Sequence, residues 1–144
     1  MRMRNGALEL TGPCAADAWY IESHDEDDPM EIVRRLSTNL LGPPLLVHST
    51  SWRRGPGGVL LTFLVVIGDD QALHLEGVPV ARAELARNSA TEAAKKISNH
   101  QVVEHALRHM AWLAKDDAAV SAALSPAWLA ALAGYVPEPF RHLS

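Results

Sequence analysis

Apolar and polar positions along this chain change their period three times. Residues 7–10, Ala-Leu-Glu-Leu, alternate and stop at Gly12 and Pro13, which predicts a short strand closed by a turn. Residues 19–22, Trp-Tyr-Ile-Glu, give a second strand candidate. The period then becomes helical. Asp28 is a suitable N-cap, Pro29 fits the first helical position and Glu31 the third. Ile32, Val33, Leu36 and Leu40 fall on one side of this helix before Gly42, Pro43 and Pro44 end it. Residues 45–53 read as a strand, 54–58 as turn chemistry and 59–67 as the most apolar strand of the chain, so the pair predicts a β-hairpin. The second of these strands is apolar on both faces, so it is expected at the centre of a sheet, covered above and below. Residues 72–76 suggest one further strand, ended by Gly77 and Pro79.

From here the pattern is helical, and 18 of the 22 alanines lie from Ala72 onward, which fits helices gathered at one end of the chain. Ser98 with Gln101 makes a capping box for a helix over 99–115. Val103, Ala106, Leu107, Met110, Leu113 and Ala114 form one wide apolar stripe on it. Asp116 and Asp117 cap a short helix, Ser125 and Pro126 open another over 127–133, and Pro137 and Pro139 keep the tail extended. The fold class expected is α+β: a mostly antiparallel sheet of four to five strands, one inserted helix before the hairpin, and a C-terminal helical layer. A single domain is expected over 1–144, sheet-rich over 1–77 and helical over 78–144.

Composition narrows the function classes. A chain of 144 residues, 48% hydrophobic, can bury one core without disulfides or metal. A formal charge of -4 argues against nucleic acid or an anionic membrane surface as partner. Cys14 is the only cysteine, so no internal disulfide forms and a zinc site needing two or more cysteines is excluded. That suits a reducing cytoplasm. The basic start, Met1 to Gly6, is followed by Glu9, Thr11 and Pro13 rather than an apolar run, so no secretory leader is expected. The longest apolar run, residues 59–67, is far shorter than the roughly 20 residues of a spanning helix.

Candidate chemistry is sparse. The acidic run Asp25, Glu26, Asp27 and Asp28 lacks the alternation of a calcium loop, and negative charge belongs at a helix N-terminus anyway. His48, Ser49, Thr50 and Ser51 contain nucleophile material, but successive strand side chains point to opposite faces. His48, Thr50 and Trp52 should therefore share one face, and Ser49, Ser51 and Arg53 the other, so His48 does not activate Ser49. A pocket wall built from His48 and Trp52, with Arg53 near a phosphate, remains as a ligand-binding candidate. His105 and His109 are spaced i, i+4, but no glutamate follows the first, and with Trp112 they read as a border of the helix's apolar face rather than a metal pair. Glu104 and Arg108 read as an ordinary i, i+4 ion pair. Arg53 and Arg54, like Lys95 and Lys96, are too few for a nucleic-acid patch. No catalytic residue, metal or cofactor is singled out.

Two resemblances follow from particular segments. Residues 34–42, Arg-Arg-Leu-Ser-Thr-Asn-Leu-Leu-Gly, with the strands after them, resemble the helix and following strands of Nudix hydrolases. In that family the helix carries glutamates that hold Mg²⁺. Here Arg35 replaces the first of them, Thr38 and Asn39 replace the metal-binding pair, and Gly42 falls one position late. The resemblance therefore implies topology without the metal chemistry. Residues 46–53, His-Ser-Thr-Ser-Trp-Arg at their heart, together with the late His-Ala-Leu-Arg-His helix, resemble a small bacterial family with no assigned activity. The functional expectation is a non-catalytic cytoplasmic domain that acts by self-association or partner binding, with a homo-oligomer expected first. The alternative is a nucleotide- or phosphate-ligand binder of Nudix-like topology, whose small-molecule site would draw on His48, Trp52, Arg53, His105 or His109.

Overall fold

The computed structural model describes residues 1–14, 17–24, 26–83 and 98–138. Asp25, Lys95, Lys96 and Pro139, weighed above, lie outside them. The chain divides into two compact units, Met1–Pro79 and Val80–Ser144. It is α+β with antiparallel sheets, but among the described residues the single sheet of four to five strands is replaced by two smaller ones, of three strands and of two.

In the first unit β1 (Arg2–Arg4) and β2 (Ala7–Thr11) pair antiparallel around Asn5 and Gly6. Both turn residues have positive φ, 50° and 80°, the geometry that Asn-Gly adopts at low cost in a two-residue hairpin. β5 (Gly77–Pro79) pairs with β2 on its other side. The strand expected over 72–76 is a run of turns instead. The reason is Arg2, whose side chain is fully buried. Its guanidinium donates to the carbonyls of Gln71, Ala72 and Leu75 and to the Glu9 carboxylate, so those carbonyls are satisfied without a ladder. Residues 19–22 form no strand either. Tyr20 and Ile21 are exposed, and no described segment pairs with them.

α1 (Pro29–Leu41) begins as its sequence dictates, with the Asp28 side chain accepting from the Met30 amide. Its buried residues are Ser37 and Leu41, while Leu40, expected on the apolar side, is 49% exposed. The C-terminal end is held by Gln71, whose amide nitrogen donates to the carbonyls of Leu41 and Pro43 while its amide oxygen accepts from the Gly68 amide. β3 (Leu46–Gly55) and β4 (Gly58–Val66) form the expected antiparallel hairpin around Pro56 and Gly57. β4 is not central: its only strand partner among the described residues is β3.

The second unit is helical. α2 (Asn99–Asp116) starts with the reciprocal Ser98–Gln101 capping box. α3 (Ala118–Ala123) is capped by Asp117, and α4 (Pro126–Leu132) by Ser125 with Pro126 at its first position. Their core is Ala106, Leu107, Met110 and Ala111 against Val120, Leu124, Trp128, Leu132 and Tyr135. Val103, Leu113 and Ala114, expected in the α2 stripe, are only half-buried, because Glu104 and His109 take buried positions. No helix among the described residues is long and apolar enough to cross a membrane.

Candidate functional site

The hairpin presents an exposed apolar surface, and one backbone irregularity shapes it. Ser49 pairs with Phe63 and Ser51 with Thr62, so Thr50 is an extra residue, a β-bulge. Its side chain is 1% exposed and its hydroxyl donates to the Thr62 carbonyl at 3.1 Å. Paired residues share a face, so the bulge shifts the alternation of everything after it by one. His48 lies with Leu64, Ser51 with Thr62 and Arg53 with Leu60 on one face. Ser49 lies with Phe63, Trp52 with Leu61 and Arg54 with Val59 on the other.

The shared face expected for His48, Thr50 and Trp52 is therefore corrected. His48 and Trp52 look in opposite directions, and Arg53 is on the His48 side. The unbroken rule of two fails because the extra Thr50 sits between them. His48 and Ser49 precede the bulge and remain on opposite faces.

The two faces are buried unequally. Leu64 and Val66 are buried on the His48 face. On the other, Trp52 is 64%, Val59 63% and Leu61 41% exposed, with Phe63 half-buried beside them. Among the described residues, the covering expected on both sides of β4 is thus missing from the turn-proximal half of one face. A side-by-side Trp, Leu and Val in solvent is costly, at about 25 cal/mol for each Å² of apolar surface left wet, and such patches mark contact surfaces.

His105 and His109 belong to the second unit, on α2, and Glu104 beside them changes role. Its side chain is 1% exposed. Arg82 grips both its oxygens at 3.0 Å, Arg108 donates to Oε1 at 3.0 Å and the Ala83 amide to Oε2 at 3.4 Å. Burial alone pushes the Glu104 carboxyl up, but the hydrogen bonds from Arg82, Arg108 and Ala83 and the Arg82 charge outweigh it and hold its pKa below the ordinary carboxylate value. Arg82 also donates to the Gly134 carbonyl and lies 4.1 Å above the Tyr135 ring. The i, i+4 ion pair expected of Glu104 and Arg108 forms, and it is part of a buried clamp joining residues 82–83, α2 and the end of the helical unit. Sequence reasoning missed Arg82, which is 22 residues from Glu104 and carries no local signal.

His109 is buried and stacks on Trp112, ring centroids 5.9 Å apart and planes within 9°. Burial first, then the neighbouring His105, lower its pKa from the ordinary 6.5, so the ring is neutral near pH 7. His105 is half-buried, one helical turn away. Among the described residues no three His, Cys, Asp or Glu side chains come close enough to hold a metal ion. Cys14 is an exposed thiol.

Comparison of the chain with protein-family models, with curated proteins and with solved structures finds no match, so only the physical chemistry of these residues bears on its role.

Proposed function

We propose that this chain is a non-catalytic association domain, and that the Trp52, Leu61 and Val59 face of the β3–β4 hairpin is its contact surface. The observation that carries it is the exposure of these three side chains side by side on one face, at 64, 41 and 63%. A large aromatic flanked by aliphatic residues and an arginine, Arg54, has the composition of an interface centre. The phosphate-ligand alternative drew on His48 and Trp52 forming one wall, and the Thr50 bulge turns them apart. A cytoplasmic setting accompanies the proposal, since it keeps a lone exposed thiol such as Cys14 reduced.

Size-exclusion chromatography with light scattering over a hundredfold range of concentration tests it. The expected result is a concentration-dependent oligomer that Trp52→Glu shifts to monomer. A monomer at the highest concentration, together with a rise in melting temperature on adding nucleotides, overturns the proposal in favour of ligand binding.

A further inference from the structure

The hairpin has two long edges, and they differ in a way that bears on how association occurs. β3 carries the Thr50 bulge together with Arg53 and Arg54. Bulges and edge charges are the usual means by which a strand refuses a new neighbour. β4 reads Gly-Val-Leu-Leu-Thr-Phe-Leu-Val-Val, with no charge, proline or bulge. Its C-terminal end is occupied: the Met1 amino nitrogen donates to the Val65 carbonyl at 2.8 Å, and the Ile67 amide to the Met1 carbonyl at 3.0 Å. The Val66 carbonyl, by contrast, accepts from Leu45 on the β3 side. Odd-numbered residues of β4 thus turn their backbone groups away from β3. Val59, Leu61 and Phe63 continue that series, and among the described residues nothing bonds to their outward N–H and C=O groups.

We infer that a second copy of this chain adds to this edge, β4 against β4, antiparallel and centred on Leu61. The inference rests on the association proposed above and specifies its geometry. In this register Leu61 meets Leu61, and Val59 meets Phe63. Two-fold symmetry lets about six backbone hydrogen bonds form from the three outward residues of each copy. Since Trp52 is the cross-strand partner of Leu61 within each hairpin, the new sheet carries an unbroken row Trp52–Leu61–Leu61–Trp52 on its exposed face.

Charge decides the direction. A parallel alignment would set the Arg53 and Arg54 tips of the two copies side by side. The antiparallel one sends them to opposite ends, with Arg54 in the row of Val59, Phe63 and the other copy's Ser49. The strand is thus complementary to itself in one direction only. A foreign strand would have to match the same uncharged alternation.

Disulfide trapping of the full chain tests the geometry. Hydrogen-bonded antiparallel pairs hold Cα atoms about 5.5 Å apart, within the span of a disulfide. In a Cys14→Ser background, Leu61→Cys is expected to give a covalent dimer on mild oxidation. Leu60→Cys, on the other face and two pairings away from its own mate, is expected to give at least tenfold less. Leu61→Lys is expected to weaken the dimer at least tenfold in sedimentation equilibrium, while its circular dichroism, and its melting temperature at concentrations where both chains are monomeric, stay those of the parent. An oligomer that cross-links no better through Leu61→Cys than through Leu60→Cys overturns edge pairing and leaves association through the face standing, whereas one that persists with Leu61→Lys, a substitution on that same face, overturns both. A parent chain that is monomeric throughout overturns both.

Discussion

The two units depart from the apolar-in, polar-out arrangement in opposite directions. The helical unit buries a carboxylate, Glu104, and surrounds it with Arg82 and Arg108. The hairpin of the first unit leaves Trp52, Val59 and Leu61 in water. Buried charge is tolerable because each oxygen of Glu104 is met, so its cost is repaid within the chain. Exposed apolar surface has no such internal remedy, and only another surface can remove it from water. The first departure therefore concerns stability, and the second concerns association. Arg2 shows that the first unit also buries charge where it can satisfy it.

The largest expected effect tests that satisfaction. Arg2→Met should cost about 3–5 kcal/mol in urea unfolding, since it strands three carbonyls and leaves Glu9 without its cation. A loss under about 1 kcal/mol would mean that water reaches these carbonyls. Glu104→Ala should follow at about 2–4 kcal/mol. It removes the point where Arg82, Arg108 and Ala83 meet, while the half-exposed Arg82 can turn to solvent. Were it no worse than a surface substitution, the clamp would not be structural.

Acid should discriminate next. Both Glu104 and His109 have pKa values below their ordinary 4.5 and 6.5 in the folded chain, so the unfolded chain binds protons first. The Met1 amino group, lowered from 8.0 to about 5 by burial first and the Arg2 charge second, adds a loss of the same sign. Stability is then full only above about pH 8, falls as pH drops through the amine and histidine ranges, and falls again below the ordinary carboxylate value. Melting temperature followed from about pH 9 to about pH 3 should show this descent, and His109→Gln should make it shallower below the ordinary histidine value of 6.5. Gly6→Ala, forcing a side chain into the φ of 80° at the first turn, should cost about 1 kcal/mol by the same melts. The smallest effect belongs to the hairpin. Trp52→Ser should change stability by no more than about 0.5 kcal/mol at concentrations where the chain is dilute. A loss of several kcal/mol would place Trp52 in a core and erase the contrast between the units.

Some of this was legible in residue order and some was not. The Asp28, Ser98 and Ser125 caps all act as their local spacing requires. Asn5-Gly6 is an equally local signal, marking the first hairpin. The Thr50 bulge was not readable, because nothing in His-Ser-Thr-Ser-Trp marks which residue the ladder will skip, and that single skip moved Trp52 away from His48. Nor was Gln71 recognisable as the residue that caps α1 from 30 positions away.

What the sequence determined by itself, then, is local: where helices start, where the hairpin turns, and which segments are apolar, since these depend on interactions over a few residues. Which strand became an edge, which glutamate was buried and which face stayed wet were decided by the tertiary structure. Those outcomes depend on partners tens of residues apart, Arg2 with Leu75 or Arg82 with Glu104, whose meeting no local spacing encodes.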